Sequence, residues 1–168
     1  QLSTIDATIS LELITESAKR IVPDATNLLD IGCGAGNYTL MMLTKIANLN
    51  CTLVDLSLPM LDKAFERVSQ KTNNKVTILQ GDIREVKLDE NYYDIILAGA
   101  VLHHLRDDKD WETTFEKLFT LLKPGGCLMI SDLVTQDTPL LNEYTWERYG
   151  DYLEGLSGKD YRQKVLDY

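Results

Sequence analysis

Three glycines, Gly32, Gly34 and Gly36, stand within five positions directly after the apolar run 27–31. Glycine has no Cβ, so a backbone containing these residues can turn sharply and approach a ligand closely. A helix that begins at about residue 37 would offer unpaired N–H groups at its positive end. The pattern predicts a loop that cradles a nucleotide-like ligand. The alternatives are a tight strand-to-helix connection without a ligand and the similar turn of dinucleotide enzymes.

Two aspartates follow the next two apolar runs of the sequence. Asp55 ends the run 51–55, and a carboxylate at such a strand end can accept both hydroxyl groups of a ribose. Asp82 follows the run 76–79, where it could accept a hydrogen bond from an adenine amino group while Ile83 packs on the ring. The glycines and both carboxylates together predict a site for an adenosine-type ligand. The alternatives are a solvated loop residue for Asp55 and a turn cap for Asp82.

Short apolar runs predict the strands that position these residues, and they lie at 27–31, 51–55, 76–79, 93–98 and 127–130. Helices or loops separate the runs from one another. Parallel strands joined in this way need right-handed crossovers. The sequence therefore predicts a doubly wound, mainly parallel α/β sheet.

Apolar spacing predicts the helices that cover this sheet. The first is expected over about 4–22 and the second over about 37–47, while Ser57 as N-cap opens the third. Residues 123–126, Lys-Pro-Gly-Gly, are expected to end the fourth. The first helix is expected to bury Ile5, Ile9, Leu13, Ala18 and Ile21. The third is expected to bury Leu61, Ala64, Phe65 and Val68, and the fourth Trp111, Phe115, Leu118 and Leu122.

Length and composition predict a single domain over 1–168. With 44% hydrophobic residues, the chain can bury one sizeable core. We expect an N-terminal helix within 1–22, the core over 27–135 and a C-terminal helical segment over 138–168.

The charge and cysteine content of the chain limit which kinds of partner and metal it is expected to bind. Seventeen basic against 26 acidic residues give a net charge of −9, which argues against nucleic acid as the main partner. Cys33, Cys51 and Cys127 form no Cys-x-x-Cys pair, so we expect reduced thiols, no metal site and a cytoplasmic location. No apolar run is long enough to span a bilayer, so no membrane partner is expected.

Five segments in order, LDIGCGAGNYT, VDLS, GDI, AGAVLHHL and LKPGG, resemble the class I S-adenosylmethionine-dependent methyltransferase family. The resemblance covers about residues 27–135. It implies a Rossmann-like sheet that here lacks the last two strands of the family, with S-adenosylmethionine as the cofactor. It implies cofactor-binding residues in the glycine loop and others beside the ribose, the adenine and the methionine end of the cofactor. These residues are Asp30, Gly32, Gly34, Gly36, Asp55, Leu56, Asp82, Ile83 and Ala98.

His103 and His104 are the two histidines of the chain and the candidates for a catalytic base. The sulfonium of S-adenosylmethionine makes its methyl group electrophilic. The protein need only align donor and acceptor and remove a proton where the acceptor carries one. An imidazole can take up such a proton near neutral pH. For both histidines the alternative is packing or loop hydrogen bonding.

The expected acceptor is a small molecule. The segment 98–101 replaces the Asn/Asp-Pro-Pro-aromatic motif of enzymes that methylate exocyclic base nitrogens, and the Pro-Cys pair of cytosine-C5 enzymes is absent there. An RNA acceptor read by appended segments is the alternative. The aromatic residues near the C-terminus are Tyr144, Trp146, Tyr149, Tyr152, Tyr161 and Tyr168. We expect them to pack between helices, and the alternatives are an acceptor lid or a homodimer surface.

Three other functions stay open at this point. The chain could use the same cofactor for chemistry other than methylation, act as a non-catalytic partner or regulatory subunit, or be a nicotinamide dehydrogenase. The intact glycine loop with Asp55 and Asp82 argues against a non-catalytic chain. The spacing Gly32-Cys-Gly-Ala-Gly36 departs from the Gly-x-Gly-x-x-Gly of nicotinamide enzymes and argues against the third.

Overall fold

The computed structural model describes residues 7–167 of the chain. Within that range the strands are β1 (Asn27–Ile31), β2 (Asn50–Asp55), β3 (Val76–Gln80), β4 (Tyr93–Gly99) and β5 (Leu122–Ser131). The α-helices are α1 (Ala7–Ile21), α2 (Asn37–Lys45), α3 (Leu58–Ser69), α4 (Asp108–Leu121), α5 (Pro139–Ser157) and α6 (Lys159–Leu166). A 3₁₀ turn, Leu102–His104, follows β4. Each predicted strand is present, although β5 begins earlier than expected.

The five strands form one sheet in the order β3-β2-β1-β4-β5, and every neighbouring pair is parallel. The predicted doubly wound α/β fold is therefore confirmed. β1 lies in the centre, and all five of its residues are buried. The chain leaves β1 toward β2 and β3 on one side, then returns to build β4 and β5 on the other. This reversal opens a crevice at the carboxyl ends of β1 and β4.

Apolar side chains cover both faces of the sheet. On one face, α1, α2 and α3 bury Ala18, Met42 and Leu61 against strand residues such as Leu53 and Ile95. On the other face, α4 and the segment after β3 form a second buried cluster with residues of β1, β2 and β4. Strands buried on both faces read as continuous apolar runs, which is why the sequence revealed them.

The described residues divide into two compact units. One runs from residue 11 to 132 and contains the sheet, and the other contains residues 7–10 and 133–167. In the second unit Arg162 of α6 makes ion pairs with Asp151 and Glu154 of α5, at 3.6 and 3.2 Å. Trp146 packs edge-on against the buried Tyr149 of the same helix. Between residues 7 and 167 no helix is long and apolar enough to cross a membrane.

The predicted buried stripe of α1 was right at Ala18 and wrong at Ile9, Leu13 and Ile21, which are exposed. The helix instead turns Leu11 and Thr15 inward together with Ala18. Apolar residues lie on both sides of this helix, so their spacing alone does not show which side packs on the sheet. The remaining residue of the predicted stripe, Ile5, lies outside the described range.

The aromatic residues predicted to be buried on α3 and α4 were also misplaced. Phe65, Trp111 and Phe115 keep more than a third of their surface exposed, although Leu118 is fully buried as expected. On α4 the buried residues are Thr114, Leu118 and Leu121, so Thr114 and Leu121 take the places predicted for Phe115 and Leu122. The Lys-Pro-Gly-Gly segment at 123–126 does not separate α4 from β5. It belongs to β5, whose register with β4 shifts there between Tyr93 and Ile95.

We expect Thr114→Val to stabilise the protein. The Thr114 hydroxyl is buried and has no hydrogen-bond partner within the described residues, so its desolvation is uncompensated. Valine has nearly the same shape and helix propensity, and should raise the free energy of unfolding by about 1 kcal/mol. Urea denaturation measures the change. Thr39→Val is the matched control and should destabilise, because the Thr39 hydroxyl donates to the buried Asp30 carboxyl at 2.6 Å. Equal effects of the two substitutions would contradict this account.

Candidate functional site

The loop between β1 and α2 is a left-handed turn built from the three glycines. Gly32 and Gly34 have φ angles of +63° and +50°, which side-chain-bearing residues rarely adopt. A Cβ on Gly32 would overlap the Val101 side chain, so the segment after β4 packs directly on the loop. A Cβ on Gly34 would meet only open space. The loop is therefore closed on one side by protein and open at Gly34.

Asp55 ties this loop to the end of β2. One carboxylate oxygen accepts the Gly34 N–H at 2.8 Å, and the other accepts the Ser57 N–H at 2.8 Å. A carboxylate oxygen can accept more than one hydrogen bond, so each retains a lone pair for a further donor. Asp55 therefore fixes the loop and still presents an acceptor on either oxygen.

Asp82 is held by Arg84, a residue that the sequence analysis did not single out. Asp82 Oδ1 accepts hydrogen bonds from the Arg84 backbone N–H and Nε, and Oδ2 accepts one from Nη2 at 2.6 Å. The hydrogen bonds from Arg84 lower the pKa of the Asp82 carboxyl. Arg84 Nη1 also donates to Asp110 near the start of α4, at 2.5 Å. The loop after β3 is thus clamped to α4.

A cleft brings most of the predicted residues together at the carboxyl ends of β1, β2 and β3. Its cavity volume is about 80 Å³, and it is open to solvent on one side. Leu56 lines it with 68% of its surface exposed, which provides an apolar wall. The lining residues are Gly32, Val54, Asp55, Leu56, Gly81, Asp82, Ile83, Arg84, Val101, Leu102, His104 and Leu105.

Four of the predicted cofactor-binding residues, Asp30, Gly34, Gly36 and Ala98, do not line this cleft. Ala98 is buried in the sheet, and Asp30 is only 1% exposed. The Asp30 carboxyl accepts a hydrogen bond from the Thr39 hydroxyl at 2.6 Å. Burial raises its pKa to about 7, because the ionised form loses its hydration in the core. Asp30 therefore lies beneath the glycine loop and supports the start of α2.

The two histidines have different surroundings. His104 lines the cleft, and burial together with the neighbouring His103 and Arg106 lowers its pKa. His103 lies beside it, with ring centroids 4.1 Å apart, but its Nδ1 contacts Asp132 Oδ1 at 2.6 Å. Asp132 directly follows β5, as Asp55 ends β2. Asp132 was not predicted from the sequence, although an acidic residue directly after an apolar run, the pattern that revealed Asp55, is present there too.

Arg67 is a further residue that sequence reasoning did not find. It extends from α3 and donates hydrogen bonds to the Ala35 carbonyl and to the Asn37 side chain. It therefore braces the glycine loop from α3, whereas Val101 packs on Gly32 from the segment after β4. Nothing in the spacing of Arg67 distinguishes it from other helix-surface cations, so only the packing of α3 against α2 reveals its role.

A parallel sheet with a glycine turn and an acidic strand end at its switch point defines a doubly wound α/β domain with its ligand site at the carboxyl ends. Comparison with known proteins narrows that class. Residues 28–126 match a family model described as a methyltransferase domain. The chain belongs to this methyltransferase family, as the sequence motifs predicted.

Two curated relatives and one solved structure illustrate the similarity. A malonyl-[acyl-carrier protein] O-methyltransferase of Halalkalibacterium halodurans is 36% identical over 72% of this chain and 44% of its own length. A demethylmenaquinone methyltransferase of Listeria monocytogenes is 26% identical over 88% of this chain and 61% of its own length. The chain thus spans about half the length of these relatives. Coclaurine N-methyltransferase, bound to N-methylheliamine and S-adenosylhomocysteine, superposes with a TM-score of 0.62, at 26% identity over 73% of this chain and 34% of that one.

We expect Asp30 to make the protein less stable as the pH rises from about 4 to 7. Its folded-state pKa lies above the unfolded value, so the folded chain binds the extra proton in this window and stability falls when that proton is lost. Asp30→Asn removes this titration while the amide oxygen still accepts from Thr39. The stability of the variant relative to wild type should therefore rise between pH 5 and pH 8, by on the order of 1–3 kcal/mol. Urea denaturation at both pH values tests this, and parallel pH dependences of the two proteins would contradict it.

Proposed function

We propose that this chain binds S-adenosylmethionine and transfers its methyl group to a small-molecule acceptor. One observation carries the proposal: Gly32 of the glycine loop, Asp55 and Asp82 line a single cleft at the switch point of the sheet. Membership of the methyltransferase family supports it, as does the S-adenosylhomocysteine bound to coclaurine N-methyltransferase.

The residues of the cleft, together with Gly34 of the loop that Gly32 shares, fit such a cofactor. Gly34 leaves open space where a side chain would stand, so the backbone can approach a ligand. Asp55 would accept the ribose hydroxyls with the lone pairs that Gly34 and Ser57 leave unused. Leu56 and Ile83 provide apolar walls for the adenine ring beside Asp82.

Charge also favours this cofactor. S-adenosylmethionine carries a positive sulfonium, and the cleft is lined by two carboxylates, Asp55 and Asp82, against one guanidinium, Arg84. A site lined by carboxylates raises the local concentration of a cationic ligand. The cofactor supplies the activated methyl group. The residues of the chain orient the acceptor and exclude water.

The acceptor and the location of the protein belong to the same proposal. The names of the relatives describe methylation of a carrier-bound malonyl group and of a demethylated menaquinone, and neither is a nucleic acid. We propose a small or carrier-bound organic acceptor for this chain. The three cysteines are all free, which supports a reducing cytoplasmic environment.

Calorimetric titration with S-adenosylhomocysteine tests the cofactor. Wild type should bind, and Asp55→Ala should bind about 10- to 100-fold more weakly, because a charged hydrogen-bond acceptor contributes roughly 1.5–3 kcal/mol. Asp62→Asn, on the exposed surface of α3, is the matched control and should bind like wild type. Circular dichroism establishes that each variant is folded. A folded wild type that does not bind would reject the proposal in favour of a non-catalytic partner, and NADH titrated in parallel tests the dehydrogenase alternative.

Substitution of Arg84 should change the pH dependence of cofactor binding. Arg84 keeps the Asp82 pKa below its ordinary value, so Asp82 stays ionised at lower pH than a free carboxyl. In Arg84→Met the loss of S-adenosylhomocysteine affinity on acidification should therefore begin at a higher pH. Asp110→Asn breaks the link to α4 but leaves the pair of Asp82 and Arg84, and should keep the wild-type profile. Identical profiles for wild type and Arg84→Met would show that Asp82 does not contribute to binding.

A further inference from the structure

We propose that His103 and Asp132 form a general-base pair, and that the acceptor of this enzyme is therefore a nucleophile that carries a proton, a hydroxyl or an amine, rather than a carboxylate. The inference rests on the proposed methyltransferase function. It adds a positioning residue, Asp132, and a chemical class of acceptor.

The two side chains are brought together by adjacent strands. His103 follows β4 and Asp132 follows β5, and the register of these strands pairs Gly99 with Ser131. Ala100 adopts a left-handed conformation, with φ of +52°, and its N–H donates to the Ser131 carbonyl at 2.7 Å. Such strain in a non-glycine residue is costly and tends to occur where function requires it. Here it turns the chain out of β4 and into the 3₁₀ turn that carries the histidine.

Asp132 holds His103 at two points. Oδ2 accepts the His103 backbone N–H at 3.1 Å, and Oδ1 contacts Nδ1 at 2.6 Å. The Asp132 side chain is only 7% exposed, whereas that of His103 is 38% exposed. A shielded carboxylate thus fixes both the backbone and the ring of a histidine that remains open to solvent.

This contact determines which ring nitrogen can act as a base. An ionised carboxylate only accepts hydrogen bonds, so Nδ1 must carry the hydrogen that it donates to Asp132. The neutral ring then has its lone pair on Nε2. Within residues 7–167 no group hydrogen-bonds to this Nε2. A base whose second nitrogen is oriented by a carboxylate is the arrangement that activates protonated nucleophiles in other enzymes.

The pair lies at the border of the cleft. The imidazole of His103 packs on that of His104, which lines the cleft, with ring centroids 4.1 Å apart. Val101 and Leu102, just before the pair of histidines, also line it. An acceptor bound beside the methyl group at the carboxyl ends of β4 and β5 would therefore approach His103 from the solvent side.

The proposed methyl transfer needs only the cofactor, the acceptor and His103. The oxygen or nitrogen of the acceptor attacks the methyl carbon, the bond between carbon and sulfur breaks, and its electron pair returns to sulfur to give S-adenosylhomocysteine. The acceptor proton moves to His103 Nε2. A carboxylate acceptor is already ionised at neutral pH and has no proton to lose, so it would make no use of this pair.

Two experiments test the proposal on the whole chain. Long-range ¹H–¹⁵N NMR of the complex with S-adenosylhomocysteine should show that His103 is protonated at Nδ1 and unprotonated at Nε2. In Asp132→Asn the proton should move to Nε2. Methyl transfer is then measured with four probes, namely catechol, menadiol, benzylamine and malonyl-pantetheine. Wild type should methylate at least one of the first three. His103→Asn keeps a donor to Asp132 but lacks Nε2, and should lower kcat by about 10²- to 10⁴-fold with little change in KM.

The controls separate a catalytic role from a structural one. Imidazole in solution should partly restore the activity of His103→Ala, which a residue that only supports the fold would not allow. Asp62→Asn should behave as wild type. Binding of S-adenosylhomocysteine is measured for every variant first, and a folded wild type that does not bind would reject the proposed function itself. Where it binds, transfer to malonyl-pantetheine alone, transfer to none of the probes, or unchanged turnover by His103→Asn overturns the base pair and its acceptor class.

Discussion

The site depends on one carboxylate that accepts two backbone hydrogen bonds. Asp55 receives the N–H groups of Gly34 and Ser57, and so joins the loop after β1 to the loop after β2. Hydrogen bonds to an ionised acceptor are stronger than neutral ones, and here they offset part of the conformational entropy that the glycine residues lose when the turn is ordered. Without this link, the loop after β1 would lose its side-chain contact with the end of β2, and with it the arrangement on which the proposed ribose site depends.

The other walls of the cleft are held by the same kind of contact. Arg84 clamps the loop after β3 to α4, and Asp132 clamps the turn after β4 to the end of β5. Lys117 of α4 also donates to the carbonyls of Arg84 and Val86. Each of these loops follows a strand of the sheet, and a charged side chain joins it to another strand end or to a helix. The sheet supplies the positions of the loop ends, and the charged contacts supply their conformations.

Three aspartates near the loops of the domain have different environments. Asp30 is buried and its pKa is raised to about 7, whereas Asp82 is paired with a guanidinium and its pKa is lowered. Asp132 is shielded and faces an imidazole. In the proposed function these differences matter, because they leave Asp82 ionised for the ligand and Asp30 as a support in the core. Residue type alone does not distinguish the three.

The sequence by itself determined the family, the five strands and the residues of the glycine loop with Asp55 and Asp82. These features are local: buried strands of a parallel sheet appear as continuous apolar runs, and the loop residues follow their strands directly. The sequence did not determine which side of α1 or α4 faces the core, because each helix carries apolar residues on more than one side and packing decides between them. It also did not reveal Arg67, Arg84 or Asp132. Arg67 and Asp132 act on partners about thirty residues away, whereas Arg84 is only two residues from Asp82 and still needed the loop geometry to be recognised. Tertiary structure alone decided those contacts, since only the order and register of the strands bring the ends of β4 and β5 together.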